Sequence, residues 1–578
     1  MKRTEGFNGL NVRHHGRHWF VLGLLLTGMT LLLGRALQLQ VLDNGRLQAE
    51  GRARQLGTLA VKPVRGRILD RRGEVLAIST PVDSIWADPR ILASSNTDLA
   101  PLTETLGLSP GQVQKLLQRH AGKKFVYLRR HLPPATARIV LGLKLPGIYT
   151  QREYHRYYPA GPSAGHVLGF TDIDDHGQEG IEYAFDRHLS GVDGKKRVLR
   201  DARRRVIEDV DSVKPVYHGQ DLVLSIDLRL QTAARRHLAE AVRKHGAAGG
   251  SALLLDSRTA EVLAMVNLPD YNPNDRSEFK YGHFRNRAVT DVFEPGSTVK
   301  PFTMSLALAS GSFTPDSLIE TSPGYYRVGG WTIHDIRDFG RLTLSGVLIK
   351  SSNIGTAKIA MEMAPEELYR MFRDVGFGRN TGVELPGEQA GRLPNRKRWR
   401  ASEHASLAYG YGVAVTPLQL ARAYGILATD GVLLPVSIRK RQRPPAGDQV
   451  LPADVVMEIN AMLEKVVSPE GTAQRAMVPA YRVAGKTGTV RKLSAQGGYR
   501  DDSYQALFAG FAPVSEPRFV LVVVIDEPGL DQYYGGEVAA PVFAKIMADA
   551  LRLRGVPPDA GDRAKQIVLS RQEADLGA

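Results

Sequence analysis

The chain has 578 residues, too many for one ordinary domain and sufficient for two or three. Apolar residues make up 43% and charged residues 24%, which is a globular composition with material for a large core. The formal net charge of +16 favours an anionic partner (nucleic acid, a membrane surface or a cell-wall polymer) or a generally basic, solvated surface. The absence of cysteine excludes disulfides, thiolate zinc sites and cysteine nucleophiles.

A candidate membrane anchor lies near the N-terminus. The stretch from Trp19 to Gly34 is apolar and uncharged, and apolar residues beyond Arg35 extend it to a predicted transmembrane helix over residues 19–39. Basic residues outnumber the single acid before this stretch, which predicts a cytoplasmic tail of residues 1–18 with the rest of the chain outside. The competing interpretation is a cleaved signal peptide. Because no small-x-small cleavage site follows the apolar run, the sequence favours a retained anchor.

Short elements are predicted between this helix and about residue 220. A polar helix is expected over residues 37–55, and alternation around Arg72-Gly73 predicts a β-hairpin over residues 65–78. Residues 98–121 have helical, amphipathic spacing, whereas residues 152–170 predict an extended, turn-rich segment.

Two basic triplets, at residues 195–197 and 203–205, permit two interpretations. They indicate either a nucleic-acid patch or a hairpin with charged residues on its solvent face. Because no aromatic residues interleave for base stacking, the hairpin is favoured. A proline- and glycine-containing break at Lys214–Gly219 predicts a domain boundary, and a strand is expected over residues 221–227.

The rest of the chain predicts an α+β domain. A helix over residues 228–245 precedes strands at 251–255 and 261–266. The C-terminal part predicts strands at 504–511 and 519–526, a helix at 541–551 and a loosely ordered tail over residues 554–578. Strands at both ends with helices between them favour an antiparallel sheet covered by helices.

The first candidate catalytic motif is Ser297-Thr298-Val299-Lys300. A break at residues 294–296 and helical spacing afterwards place Ser297 next to a helix N-terminus, where unpaired N–H groups favour a developing anion. Lys300 shares a helix face with the Ser297 hydroxyl. It can take the hydroxyl proton only when neutral, which requires burial or a neighbouring positive charge. The alternative is a helix-capping serine followed by a solvated lysine.

The second motif, Ser351-Ser352-Asn353, precedes another helical run. Ser351 can relay a proton between a lysine and a leaving amine, and the Asn353 amide can hold a substrate carbonyl. The alternative is helix capping, for which serine and asparagine are well suited.

The third motif, Lys486-Thr487-Gly488-Thr489, has strand-like surroundings. Gly488 indicates close approach of another backbone, and an edge strand here can pair with an extended peptide. Lys486 and the threonine hydroxyls suit a terminal carboxylate. The alternative is a hairpin turn with an incidental lysine. Each motif is weak alone, but in this order they supply a nucleophile, a base, a relay and an anion binder.

The motifs resemble those of penicillin-binding proteins and serine β-lactamases. Nearly the whole chain after the anchor is similar to class B penicillin-binding proteins, which are peptidoglycan D,D-transpeptidases. The other segments that carry the resemblance are Arg65–Gly73, Arg156–Pro159, Glu179–Glu182, Asp227–Gln231, Tyr409–Gly412, Val415–Gln419 and Tyr534–Gly536. The stretch Phe293–Phe302 resembles the division-specific, septal branch (penicillin-binding protein 3 type), since the elongation branch usually has Phe where Val299 stands.

This resemblance implies roles for the site residues. Ser297 would attack the penultimate D-Ala carbonyl of a stem peptide, with Lys300 as the base and with Ser351 and Lys486 moving protons. An amine of a neighbouring stem peptide would then complete the crosslink, and β-lactams would acylate Ser297. The backbone N–H groups of Ser297 and Thr489 would form the oxyanion hole. No metal or cofactor is expected. The substrate-binding residues would be Ser352, Asn353, Thr487, Gly488 and Thr489.

The resemblance also implies an architecture and partners. Residues 219–553 would form the penicillin-binding transpeptidase domain, and residues 40–218 an elongated, mostly β, non-catalytic pedestal. The implied location is the bacterial inner membrane, with a single span in lipid and a periplasmic catalytic domain. The implied partners are a polytopic glycosyltransferase and small bitopic division proteins, and nucleic acid is not expected. Since no glycosyltransferase signature is present, the bifunctional class A is disfavoured.

Several alternatives remain open. An elongation-type or stress-specific transpeptidase would carry the same motifs. A β-lactamase or D,D-carboxypeptidase would use the same chemistry, although the anchored pedestal fits wall synthesis better. A catalytically silent scaffold is disfavoured by the intact Ser297, Lys300 and Lys486.

Overall fold

The computed structural model describes residues 15–47, 56–95, 97–200, 206–275, 277, 282–493, 497–529 and 531–561. This part of the chain forms two compact units. One unit contains the described residues up to Pro63 together with Val192–His218, and the other contains Val64–Gly191 and the described residues from Gly219 onward. The N-terminal part of the chain therefore contributes to both units.

The first unit begins with the predicted anchor. Helix His15–Leu37 continues into a π-helical turn, Gln38–Leu42. Among the described residues, Gly16–Leu42 is the one helix long and apolar enough to cross a bilayer, with a mean hydropathy of 1.9. The predicted polar helix over residues 37–55 corresponds to the π-helical turn and a helical turn at residues 44–47, and residues 48–55 lie outside the described residues.

A three-stranded antiparallel sheet completes the first unit. Strand Gly194–Arg200 lies between Leu56–Val61 and Val206–Lys214. The predicted hairpin around the basic triplets is confirmed by the pairing of Lys195 with Lys214 and of Arg197 with Asp211. Its turn, residues 201–205, lies outside the described residues.

The second unit starts with a small sheet built on the long strand Val75–Ala87. This strand pairs antiparallel with Ile68–Leu69, Val126–Leu132 and Ile148–Tyr157, and Ile68–Leu69 pairs in parallel with Leu222–Val223. The predicted hairpin over residues 65–78 is confirmed, with Gly73 in the turn at a φ of 92°. The helices of this region are Pro89–Ser94, Ala100–Leu106, Pro110–Arg119, Pro134–Gly142, Gly165–Leu168, Gly180–Ala184 and Asp186–Ser190.

Two predictions in this region are corrected and a third is confirmed. The helix expected over residues 98–121 is two helices, because Gly107 ends the first in a left-handed conformation and Ser109 caps the second. The strand expected over residues 221–227 is reduced to Leu222–Val223, since beyond it only Leu224 forms a single bridge, to Arg439, and Asp227 already caps the helix that follows. The extended, turn-rich segment predicted over residues 152–170 is confirmed, with a strand to Tyr157 and short helical turns after it.

A five-stranded antiparallel sheet forms the core of the second unit, as the sequence predicted. Its spatial order is Val262–Leu268, Gly249–Asp256, Phe519–Asp526, Tyr499–Ala512 and Ala484–Leu493. Every residue of Gly249–Asp256 and Phe519–Asp526 is buried. Ala484–Leu493 is the edge strand of this sheet, which matters for the site described below.

Helices cover this sheet. Leu228–Lys244 and Gly535–Leu553 pack on each other and on the sheet, and Pro417–Leu427 packs on its central strands. The closing helix starts at Gly535 instead of the expected residue 541, so Pro541 lies inside it. The remaining helices are Arg287–Thr290, Lys300–Ala309, Leu344–Lys350, Asn353–Met361, Pro365–Asp374, Ala401–Ala408 and Ala453–Val466.

Small hairpins and turns complete the unit. Strand Leu318–Glu320 pairs with Arg341–Thr343, Tyr325–Val328 with Trp331–His334, and Val432–Leu433 with Asp448–Gln449. The 3₁₀ turns are Gly161–Ser163, Gly296–Val299 and Gln474–Ala476. In the described start of the predicted tail, Asp559 accepts the Arg482 backbone N–H at 2.7 Å, and residues 562–578 lie outside the described residues.

Candidate active site

The candidate nucleophile lies at the start of a helix. Ser297 belongs to the 3₁₀ turn Gly296–Val299, which leads directly into helix Lys300–Ala309. Ser297 is partly exposed, whereas Thr298, Val299 and Lys300 are buried. The predicted position of Ser297 next to a helix N-terminus is therefore confirmed.

Gly296 allows this turn to fit against its neighbours. Its φ of 52° is left-handed, and its N–H donates to the Gly410 carbonyl at 3.1 Å. A Cβ at this position would lie 2.7 Å from Val490 Cγ2 in the edge strand. The serine turn and the edge strand are thus in direct contact.

Lys300 is fully buried and touches the second motif. Its Nζ donates to the Ser351 carbonyl at 2.7 Å and to Asn353 Oδ1 at 2.8 Å, and it lies 3.3 Å from Ser351 Oγ. Burial holds the pKa of Lys300 well below its ordinary value, and the positive charge of Lys486 lowers this pKa further. The Asp335 carboxylate acts in the opposite direction. The solvated lysine considered from sequence is therefore wrong for Lys300.

The two serines of the second motif differ in their contacts. Ser351 follows helix Leu344–Lys350 in a left-handed conformation, with a φ of 60°, and its hydroxyl faces Lys300. Such a conformation is uncommon outside glycine and often occurs at functional sites. Ser352 is buried and caps helix Asn353–Met361, because its hydroxyl accepts the Gly355 N–H at 2.8 Å. Helix capping therefore explains the position of Ser352, whereas the Ser351 hydroxyl lies next to Lys300 Nζ.

The third motif lies in the edge strand, as the sequence predicted. Lys486 is fully buried, and burial lowers its pKa to about 7. Its Nζ lies 3.3 Å from both the Thr487 carbonyl and Thr487 Oγ1. Thr489 Oγ1 accepts the Gly535 N–H at 3.0 Å, so its own hydroxyl hydrogen remains for an acceptor in the cleft.

Gly488 lies where the edge strand meets the serine turn. A Cβ here would be 3.0 Å from Thr298 Cγ2 and 3.2 Å from the Pro295 carbonyl oxygen. The close backbone approach predicted from a glycine inside a strand is confirmed. The structure thus brings the three motifs together, because Lys300 contacts the second motif and the third motif lies against the serine turn.

Sequence reasoning missed Asp335. Its carboxylate accepts the backbone N–H groups of Asn353 at 2.6 Å and Ile354 at 3.2 Å, and also the Ser352 hydroxyl. It therefore stabilises the N-terminus of the helix that presents Asn353. A lone aspartate 18 positions upstream gives no local capping signal, so the sequence alone could not identify this contact.

Glu294 is a second residue whose contacts the sequence does not predict, since the sequence shows it only as part of the break before the helix. It is 8% exposed, and it accepts the Gly412 N–H at 2.8 Å and the Tyr499 hydroxyl at 3.0 Å. Burial raises the pKa of this carboxyl group. Glu294 thus connects the chain just before the serine turn to the strand Tyr499–Ala512.

The arrangement defines a class of chemistry. Burial favours the neutral, basic form of Lys300. Ser297 lies three residues before it, at the start of the same helix, which is the spacing of a serine nucleophile and its base. A second serine touches the same lysine, and an edge strand with a second buried lysine forms a further wall. These features are typical of serine acyl-transfer enzymes.

Comparison with protein families agrees with an assignment to the serine acyl-transfer enzymes. The penicillin-binding protein transpeptidase domain matches residues 250–548, and the penicillin-binding protein dimerisation domain matches residues 60–224. The chain belongs to the penicillin-binding protein transpeptidase family.

Individual relatives cover almost the whole chain. It is 42% identical to the peptidoglycan D,D-transpeptidase FtsI of Escherichia coli over 96% of this chain and 95% of that protein. It is 41% identical to the probable peptidoglycan D,D-transpeptidase PbpC of Pseudomonas aeruginosa, over 95% of this chain and 97% of that protein. These relatives place the chain with the FtsI-type members of the family.

Solved structures support the same assignment. The transpeptidase domain of Burkholderia pseudomallei penicillin-binding protein 3 is 46% identical, with a TM-score of 0.54, over 58% of this chain and 98% of that chain. Penicillin-binding protein 3 of Mycobacterium tuberculosis in complex with aztreonam is 29% identical, with a TM-score of 0.67, over 87% of this chain and 98% of that chain. The likeness therefore includes the region before the catalytic domain.

Proposed function

We propose that the protein is a peptidoglycan D,D-transpeptidase that crosslinks stem peptides through an acyl-enzyme at Ser297 during septal wall synthesis. The observation that carries this proposal is the environment of Lys300. Its amine is buried, contacts Ser351 and Asn353, and has a pKa well below the ordinary value, so it is a base in the cleft that contains Ser297. The FtsI relative, at 42% identity, supports the substrate class and the septal role.

The first half-reaction forms an ester. Lys300 takes the proton of the Ser297 hydroxyl while Ser297 Oγ bonds to the carbonyl carbon of the penultimate D-Ala. The backbone N–H groups of Ser297 and Thr489 stabilise the oxyanion, a contribution of about 10²–10³ in rate per donor in comparable enzymes. The carbon–nitrogen bond then breaks, and the proton passes through Ser351 to the leaving amine, which departs as D-Ala.

The edge strand binds the donor peptide. An extended peptide adds to Ala484–Leu493 by main-chain hydrogen bonds, since among the described residues no other strand pairs with the outer side of this strand. The hydroxyls of Thr487 and Thr489 bind the terminal carboxylate, and Lys486 moves protons in the same region. The Asn353 amide orients the donor from the other side, and Ser352 supports Asn353 as the buried cap of its helix.

The second half-reaction makes the crosslink. The amine of a second stem peptide attacks the ester carbon, a carbon–nitrogen bond forms, and the bond to Ser297 Oγ breaks as Oγ regains a proton. A β-lactam acylates Ser297 in the same way as the donor. None of these steps uses a metal or an organic cofactor.

The N-terminal part of the chain determines where the catalytic domain lies in the cell. Residues 19–39, within the helix Gly16–Leu42, anchor the protein, with residues 1–18 in the cytoplasm and the catalytic domain in the periplasm. Residues 40–218 form the non-catalytic pedestal and residues 219–553 the transpeptidase domain. A polytopic glycosyltransferase and other division membrane proteins are the proposed partners.

Purified full-length protein tests the activity. Lipid-linked peptidoglycan precursor and a glycosyltransferase are supplied, and released D-Ala and crosslinked dimer are measured in the same reaction. We expect dimer to form in proportion to released D-Ala, and a β-lactam to block both. Release of D-Ala without dimer would indicate a carboxypeptidase, and a protein that binds penicillin but releases nothing would be a silent scaffold.

The septal role has its own test. A functional fluorescent fusion is expected at mid-cell during division. A fusion distributed along the side wall would favour the elongation-type alternative and contradict the septal assignment.

A further inference from the structure

A buried hydroxyl lies in the apolar C-terminal half of helix Pro417–Leu427. Tyr424 is fully buried, and its ring packs edge-on against Phe302 with 5.9 Å between the ring centroids. A phenylalanine would fill the same volume without burying a hydroxyl, which costs free energy unless the hydroxyl is hydrogen-bonded. The other buried residues of this half of the helix are Leu420, Ala421, Ala423, Ile426 and Leu427.

The partner of this hydroxyl is the serine turn. The Tyr424 hydroxyl donates to the Thr298 carbonyl at 2.8 Å, and Thr298 directly follows Ser297. Burial holds the pKa of Tyr424 well above its ordinary value, so the hydroxyl keeps its proton and remains a donor. A side chain 126 positions away in the sequence thus reaches the candidate nucleophile from the core of the domain.

The serine turn depends on such outside contacts. Pro301 has no backbone N–H, so the Ser297 carbonyl cannot make the bond to the fourth residue ahead that an α-helix requires. It accepts the Lys300 N–H instead, which tightens the chain into the 3₁₀ turn Gly296–Val299. Hydrogen bonds in a 3₁₀ turn have poorer geometry than those in an α-helix. Bonds from neighbouring elements therefore help to fix the position of Ser297.

The helix and the residues before it hold the serine segment at two places. Phe293 and Val415 exchange two backbone bonds, of 3.0 and 2.9 Å, on the N-terminal side of Ser297. The bond from Tyr424 to Thr298 is on the C-terminal side. The backbone pair forms with any side chain, whereas the second attachment depends on one phenolic oxygen. Deleting that oxygen therefore releases one side of the turn.

Position is decisive for the chemistry proposed at Ser297. Its Oγ must meet a carbonyl carbon while its backbone N–H faces the oxyanion, and a misplacement of about 1 Å can cost about 10²-fold in rate. Lys300 Nζ has its own contacts, with the Ser351 carbonyl and Asn353 Oδ1. Freedom of the serine turn would thus change the alignment of Ser297 and leave the surroundings of the Lys300 amine unchanged.

We propose that Tyr424 is a positioning residue for acyl transfer, because its hydroxyl holds the Thr298 carbonyl and thereby keeps Ser297 aligned with Lys300 and with the incoming carbonyl carbon. Tyr424 acts through the serine turn and does not take part in bond making. This inference rests on the proposed function, in which Ser297 is the nucleophile.

The test removes one oxygen atom. Stopped-flow acylation of full-length Tyr424→Phe by a fluorescent penicillin, over a range of concentrations, gives the dissociation constant of the initial complex and the acylation rate constant separately. The matched control is Tyr271→Phe, since Tyr271 is also buried and its hydroxyl donates to the Gly165 carbonyl at 2.8 Å, outside the three motifs. The melting temperature and the pH profile of acylation are measured for both variants.

We expect the acylation rate constant of Tyr424→Phe to fall about tenfold, because the turn is less well aligned. The dissociation constant should stay within about twofold of wild type, and Tyr271→Phe should keep both constants within the same range. Both variants should lose a similar amount in melting temperature, since each loses one buried hydrogen bond. The acidic limb of the pH profile should not move in Tyr424→Phe, because the contacts of Lys300 Nζ remain.

An acylation rate constant in Tyr424→Phe equal to that of wild type would overturn the proposal and leave the bond a purely structural one. An equal fall in Tyr271→Phe would also overturn it, since general loss of stability would then be the cause. A shifted acidic limb would show that Tyr424 acts on Lys300 and not on the serine turn. Failure of penicillin to acylate the wild-type protein would instead reject the proposed function itself, so the two failures are distinguishable.

Discussion

Lys300 and Asn353 lie 53 positions apart in the chain, and the lysine Nζ donates a 2.8 Å hydrogen bond to the Asn353 Oδ1. A second bond, to the Ser351 carbonyl, is 2.7 Å long. A neutral amine has two hydrogens and one lone pair. In the neutral form that burial favours, these two acceptors use both hydrogens and the lone pair can receive a proton, and the Ser351 hydroxyl lies 3.3 Å from the same Nζ.

Replacing Asn353 by aspartate tests this arrangement. The new carboxylate would favour the charged form of Lys300 and raise its pKa, so a smaller fraction of the amine would be neutral at pH 7. In Asn353→Asp we expect the acidic limb of the pH profile for penicillin acylation to move to higher pH. Asn353→Ala should lower the rate without moving the limb upward. An unmoved limb in Asn353→Asp would contradict the role of Lys300 as the base.

Replacing Asp335 should shift the pKa of Lys300 in the opposite direction. Its negative charge raises the pKa of Lys300, so the neutral variant Asp335→Asn should lower that pKa and move the acidic limb to lower pH. The variant also weakens the bonds to the helix N-terminus, and we expect a loss of about 1 kcal/mol in the free energy of unfolding.

The matched control is Asp338→Asn in the same loop, which should leave the pH profile of acylation unchanged. Stopped-flow measurement of acylation between pH 5 and 9 distinguishes the two variants. A profile that shifts equally in both would show that the loop, and not the charge of Asp335, is responsible.

The nucleophile has a direct test. Ser297→Ala should abolish covalent labelling by a fluorescent penicillin, because no hydroxyl remains to form the ester. The melting temperature should be close to that of wild type, since Ser297 is partly exposed. Ser312→Ala, at an exposed serine beyond the same helix, is the control and should label fully. Stoichiometric labelling of the Ser297→Ala protein would refute the assignment.

Local signals were sufficient to place the three motifs. A break before Ser297, a capping residue before the helix at Asn353, and a glycine within the strand at Gly488 each act over a few residues, and each element formed where expected. Asp335 has no such signal, because it caps a helix from a separate loop. Its contribution arises only when the hairpin before it packs on that helix.

The order of strands in the central sheet could not be predicted from the sequence either. Strand Gly249–Asp256 pairs with its neighbour in the chain, Val262–Leu268, but also with Phe519–Asp526. Periodicity identifies each strand but carries no information about distant partners. The closing helix shows a related limit, because it was expected from residue 541 but begins at Gly535, with Pro541 inside it.

The last prediction concerns stability in the region before the catalytic domain. Arg65 and Arg156 each donate to Glu182 at 2.7 Å, and the three side chains are at most 1% exposed. Replacing one member of such a group leaves buried charge without compensation, so Glu182→Gln should lower the free energy of unfolding by about 3–5 kcal/mol.

The comparison for this variant is Glu240→Gln, which removes an exposed partner of Lys545 at 3.0 Å. Exposed ion pairs contribute little to stability, so we expect no measurable change in the free energy of unfolding of Glu240→Gln. Urea unfolding of the full-length protein in detergent, followed by tryptophan fluorescence, measures both. If Glu182→Gln unfolded at the same urea concentration as Glu240→Gln, the buried group would be neutral for stability, and its retention would need an explanation in function instead of folding.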